Sequence, residues 1–148
     1  MGRFVTLLLA TAGALCIAGA AAAEGAAVKV YKTPTCGCCT KWVEHLEANG
    51  FRVDTLELPD LRLVKQSNGI SPQLASCHTA FVDGYVIEGH VPAQDIERLL
   101  EERPQVAGLT VPRMPIGSPG MEGPNPVRYD VLTFDGSGKT AVFATHGP

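Results

Sequence analysis

Lys32-Thr33-Pro34-Thr35-Cys36-Gly37-Cys38-Cys39-Thr40-Lys41 holds three of the five cysteines of the chain within four positions. It follows Val28-Lys29-Val30-Tyr31, a short run with the β-branched content of a buried strand. It precedes Trp42, Val43 and Leu46, whose three- and four-residue spacing is helical. The thiols therefore fall at a strand-to-helix turn. There the first helical N–H groups lack partners and the helix dipole is positive, so Cys36, Cys38 and Cys39 are expected to ionise more readily than a free cysteine. Thiolates so placed bind soft metals or exchange disulfides, and packing alone does not account for three of them together.

Outward from this turn, the N-terminal segment has one charge, Arg3, an apolar core through Leu7, Leu8, Leu9, Leu15 and Ile17, and then Ala21-Ala22-Ala23 before Glu24. This is the pattern of a secretory signal peptide over residues 1–23, with cleavage expected after Ala23. The alanine-rich end is too weak a hydrophobe for a membrane anchor. A lipoprotein reading at Cys16 is disfavoured by the large Leu15 before it. Removal of the segment takes away Arg3 and no acids, leaving 11 − 15 = −4 formal charges on residues 24–148. No basic stripe is present, so a nucleic-acid partner is not expected. The remaining length suits one domain with a modest core. Four cysteines remain, and three are too close together to staple distant loops, which favours metal or redox chemistry over a disulfide framework.

The order of elements follows from local signals. A helix from Thr40 is stopped by Asn49-Gly50, Phe51 to Leu58 reads as a strand, and a short helix through Leu61, Leu63 and Val64 ends at Asn68-Gly69. Asp83-Gly84 between Thr79-Ala80-Phe81-Val82 and Tyr85-Val86-Ile87-Glu88 is the strongest hairpin signal in the chain. If these two residues are the turn, Val82 faces Tyr85 and Cys77 faces His90, with side chains about 5 Å apart on one face. Pro92 then opens a helix through Ile96, Leu99 and Leu100 that ends before Pro104. Residues 104–126, with Met114 and Met121 among many prolines and glycines, read as an irregular loop. Val127–Phe134 and Thr140–Thr145 read as a final hairpin that, with this loop, would cover the cysteine end of the domain.

The order strand, CxxC, helix, strand, helix, hairpin, helix resembles the thioredoxin-like fold, an α/β architecture, here with an added Pro/Gly/Met-rich loop and C-terminal β-hairpin. By that analogy Ser76-Cys77-His78-Thr79 lies beside the cysteine turn, with His78 where that fold usually carries a cis-proline. Cys-Gly-Cys-Cys after Tyr-Lys-Thr-Pro-Thr, Ser-Cys-His-Thr-Ala, Glu-Gly-His-Val-Pro and Val-Pro-Arg-Met-Pro-Ile-Gly-Ser-Pro-Gly-Met-Glu-Gly together resemble the CopG-like copper-resistance family. The resemblance implies a periplasmic, thioredoxin-like copper protein whose cysteine motif and nearby histidines hold a multi-copper site.

The residues taken alone point the same way. Thiolate and thioether favour Cu(I), imidazole also accepts Cu(II), and Cys36, Cys38, Cys39 and Cys77 are the leading candidate ligands. So many thiolates in so short a span call for bridging sulfurs and more than one ion. Zinc is the competing metal, but a closed four-cysteine site leaves the histidines unexplained. His90 is a candidate through the hairpin register. His78 is another, although alternation would send it to the opposite face from Cys77. His146 is either a ligand or a solvated terminal residue. His45 lies off the Trp42–Leu46 face and is expected to be exposed and not a ligand. Met114 and Met121 are candidate thioether ligands, while Trp42 is expected to anchor the core. Two functions follow: copper sequestration or transfer, with other periplasmic copper-handling proteins as partners, or thiol-disulfide exchange by Cys36 and Cys39. The first is compatible with a copper oxidoreductase and with a non-enzymatic carrier. A structural zinc module is a third, weaker reading.

Overall fold

The computed structural model describes residues 25–148; the signal-peptide expectation and Cys16 lie outside them. The described residues form a mixed seven-stranded sheet with three helices. The elements are β1 (Ala27–Lys32), α1 (Gly37–Ala48), β2 (Arg52–Glu57), α2 (Arg62–Ser67), β3 (Thr79–Val82), β4 (Tyr85–Glu88), α3 (Ala93–Glu102), β5 (Gly108–Thr110), β6 (Tyr129–Phe134) and β7 (Thr140–His146). Strand order is β2-β1-β3-β4-β5-β6-β7. β1 runs parallel to β2 and β4 parallel to β5; the other neighbours are antiparallel.

Alternation decides which side chains enter which core. Val28, Val30, Ala80, Val82 and Ile87 meet Trp42 and Leu46 of α1 and Ile96 and Leu99 of α3 on one face. Their out-of-phase neighbours Phe81 and Val86 join Ile70, Leu74 and Phe134 in a second cluster, on the other face. α1 and α3 thus cover one side, and the connection after α2 covers part of the other. The β3–β4 turn is Asp83-Gly84, both with positive φ (47° and 87°), as a two-residue turn matching the strand twist requires. Its register is the expected one, Val82 facing Tyr85 through Thr79 facing Glu88.

Two expectations need correction. Residues 104–126 are not wholly irregular, because β5 lies inside them and adds to the sheet beside β4. Three residues are too few to show a period, and parallel pairing with β4 supplies what local sequence does not. The C-terminal hairpin forms, but it continues the sheet past β5. The 111–127 loop does the covering, through Pro119 and Gly120. No helix among the described residues is long and apolar enough to cross a membrane.

Candidate metal centre

Four segments converge. β1 delivers the chain to Cys36, which sits in extended conformation (φ −80°, ψ 93°) at the N-cap of α1, so Cys38 and Cys39 occupy the first helical turn. The segment before β3 carries Cys77 and His78, the residues after β4 carry His90, and the loop after β5 closes over them.

Cys36 and Cys39 are joined in a disulfide, leaving Cys38 and Cys77 as the free thiols among the described residues. This bridge spans a sequence separation of only 3 and closes no distant loop. Cys36 Sγ lies 3.4 Å from Cys38 Sγ, which lies 3.9 Å from Cys77 Sγ. Cys77 Sγ in turn lies 2.9 Å from His90 Nε2 and 3.2 Å from His78 Nδ1. The donor atoms of Cys36, Cys38, Cys39 and Cys77 all fall within 4.8 Å of one another, as do those of Cys77, His78 and His90. Cys77 belongs to both groups, so its sulfur is the natural bridge between a thiol-rich half and an imidazole-rich half.

The protonation pattern follows from the partners. His90 is fully buried, and its Nδ1 lies 2.7 Å from the Pro119 carbonyl, an acceptor only, so Nδ1 carries the proton and the Nε2 lone pair faces Cys77. Metal-binding imidazoles commonly show this arrangement, the second nitrogen donating to a carbonyl, carboxylate or water. Burial lowers the His90 pKa, opposed by the Pro119 carbonyl and the Glu122 charge. His78 is also fully buried, and its pKa lies well below the ordinary value, first through burial and then through the His90 and Lys65 charges. Its Nε2 has no hydrogen-bond partner. Burial, then the neighbouring Cys38 thiol, push Cys77 up to about 12. The pocket therefore disfavours a bare thiolate on Cys77 and a charged imidazole on either histidine. A soft cation taking the place of the thiol proton would remove the first penalty, because metal binding displaces that proton. The donor set thus fits a thiophilic metal.

Two expectations about the histidines change here. His78 converges on Cys77 because the strand starts at Thr79, so residues 76–78 are free of strand alternation. His45 is half-buried, not exposed, and its Nε2 accepts the Ala93 N–H at 3.1 Å, serving the N-terminus of α3. Trp42 does anchor the core, donating its indole N–H to the Val91 carbonyl at 2.8 Å, and its ring also lies 4.3 Å from that of His78.

The other candidates are spread apart. Met121 lines an open cleft of about 430 Å³ with Cys38, Lys41 and Glu122. Met114 is exposed and lines a different groove, with Arg113, Val127 and Arg128. His146 pairs with Asp95 at 2.6 Å and stacks on Tyr129.

The chain that carries this site is similar to known proteins. A family model described as a protein of unknown function, DUF411, matches residues 74–121, the span from Leu74 through Cys77, His78 and His90 to Met121. Two solved structures, titled copper resistance protein CopG, Form 1 and Form 2, are each 43% identical to this chain. Each match covers 84% of this chain and 100% of that one, with a TM-score of 0.79. The chain belongs to the CopG copper-resistance family. No curated protein sequence matches. In this CopG-family chain, sequence reasoning missed three contributors to the site: the Pro119 carbonyl, Gly120 and Glu88. Only Glu88 left a signal, as a charged residue ending the apolar run Val86-Ile87 just before Gly89-His90.

Proposed function

We propose that this protein is a periplasmic copper-binding protein of a copper-resistance system, with a thioredoxin-like core formed by β1–α1–β2 and β3–β4–α3. The observation that carries the reading is the sharing of Cys77 between a cysteine group and a histidine group. Soft sulfur donors favour Cu(I), and adjacent imidazoles allow Cu(II), so the site suits cycling between the two states. Zinc takes four donors in a single tetrahedral Cys/His site, whereas six donors sharing the Cys77 sulfur suit more than one ion. The titles of the solved relatives support copper, and the signal pattern of residues 1–23 supports export.

The proposed donor set is Cys36, Cys38, Cys39, Cys77, His78 and His90, with more than one ion bridged by sulfur. Met121 is the proposed thioether donor, a reading supported by the cleft it lines together with Cys38; Met114 and His146 border other grooves and are left out of the proposed set. Cys36 and Cys39 serve as thiolate ligands only once their disulfide has taken up two electrons from a thiol reductant. Copper is cargo here, sequestered or passed to other copper-handling proteins. The test is anaerobic reduction, loading with copper in the presence of equimolar zinc, and metal analysis. At least one tightly held copper per chain that zinc does not displace is expected; zinc retention in its place would overturn the reading.

The Cys36–Cys39 disulfide favours one alternative, a thiol-disulfide oxidoreductase. Metal-free protein that reduces insulin, retains this turnover in Cys38→Ser and Cys77→Ser, and loses it in Cys36→Ser would establish that activity instead.

A further inference from the structure

Glu88 is the last residue of β4 and is completely buried. Its carboxylate is fully engaged. Oε1 accepts the Ser76 N–H at 2.6 Å and Lys65 Nζ at 2.5 Å, and Oε2 accepts the Thr79 hydroxyl at 2.7 Å. Lys65 also donates to Thr79 Oγ1 at 3.1 Å. Ser76 and Thr79 are the residues on either side of Cys77-His78. One carboxylate therefore grips both ends of the dipeptide that supplies a thiol and an imidazole. The grip continues outward: the His78 carbonyl accepts the Gly89 N–H at 3.0 Å, and the Ser76 hydroxyl donates to the Arg113 carbonyl at the start of the covering loop.

Residues 76–78 precede β3 and lie outside its paired residues, with the Gly89 N–H to the His78 carbonyl as the one bond that continues the hairpin register. A buried ion pair is also a weak source of net stability, since the desolvation of both charges offsets their attraction; where it has a use, that use is often to specify one geometry. We infer that Glu88, neutralised by Lys65, is a positioning residue of the metal centre: it sets the Cys77–His78 backbone so that Cys77 Sγ meets His90 Nε2 and Cys38 Sγ together. It acts through Ser76 and Thr79, since its own hydrogen bonds reach none of the donor atoms. The copper part of this inference rests on the proposed function; the placement of Cys77 does not.

The test uses Glu88→Gln, which keeps size and removes charge, and Thr79→Val, which cuts one arm of the grip and leaves the carboxylate paired with Lys65. Two readouts are taken on reduced protein: peptide-resolved alkylation of Cys77 relative to Cys38 without metal, and Cu(I) affinity by chelator competition with the near-ultraviolet thiolate-to-copper band. In Glu88→Gln the alkylation ratio changes several-fold, the band shifts, and affinity falls by about 10–100-fold, the usual scale for residues behind the ligands. Thr79→Val moves the same readouts in the same direction by less. A folded Glu88→Gln protein with unchanged ratio, band and affinity, even one that melts at a lower temperature, overturns the inference. If Glu88→Gln does not fold, the unchanged readouts of Thr79→Val overturn it. Should the unsubstituted protein bind no copper, the proposed function fails, and the alkylation ratio alone still decides the role of Glu88.

Discussion

His90 meets two demands at once, giving its Nδ1 proton to the Pro119 carbonyl at 2.7 Å and turning its Nε2 lone pair to Cys77 Sγ at 2.9 Å. Cys77→Ser and His90→Ala should therefore each weaken Cu(I) binding. Because both changes damage one contact, the single losses should sum to more than the loss of the double variant, by about 0.5–3 kcal/mol. Chelator competition on the four proteins measures this, and strict additivity would contradict it. His45 has a different part to play. His45→Ala removes the acceptor of the Ala93 N–H at the start of α3, so it should cost about 0.5–2 kcal/mol of stability, the range for a lost helix cap, and leave copper affinity unchanged. Denaturant melts and copper titration of one variant separate the two effects. Sequence alone misplaced His45, because its position off the Trp42–Leu46 stripe says nothing of a neighbouring helix whose first N–H lacks a partner.

Among the elements, the loop over the site is closely packed and was not legible in the sequence. Gly120 has φ +83°, and a Cβ there would meet the Cys38 carbonyl oxygen at 2.6 Å, Trp42 N at 2.9 Å and His90 Nδ1 at 3.3 Å. Gly120→Ala must lift the loop, and with it the Pro119 carbonyl, away from His90. The expected result is a loss of about 1–3 kcal/mol of stability together with weaker copper binding. Gly136→Ala, in open space at the β6–β7 turn, should stay within about 0.5 kcal/mol of the original. Equal melts for the two variants would contradict the close packing of the loop. Nothing in a run of prolines and glycines announces which glycine faces a helix N-terminus. The β3–β4 hairpin was readable because Asp83-Gly84 fixes its register locally, and that register brought Cys77 and His90 to one place although the ladder itself ends at Thr79 and Glu88. β5 was not readable, since it depends on β4 for its pairing.

Across the whole molecule, the positions of the cysteines were legible from one strand, one turn and one hairpin, whereas the buried polar support was not: Glu88 and Lys65 meet only in the folded chain. Burial also sets how the metal-free protein responds to acid. The pKa values of His45, His78 and His90 are all lowered, in each case first by burial. Folded pKa values below the unfolded value of about 6.5 mean that the unfolded chain takes up these protons first. Stability from this source is complete above about pH 6.5 and is lost as pH falls toward the folded values. Denaturation midpoints should therefore decline between about pH 7 and 5; a flat or rising profile would contradict histidines held neutral by burial. Copper-edge X-ray absorption on the anaerobically reduced, copper-loaded protein reads the ligands of the metal itself. Sulfur is expected as the dominant neighbour of copper, with an imidazole contribution that falls in His90→Ala; a shell of nitrogen and oxygen alone, unchanged by Cys77→Ser, would rule out copper held by Cys77 and His90.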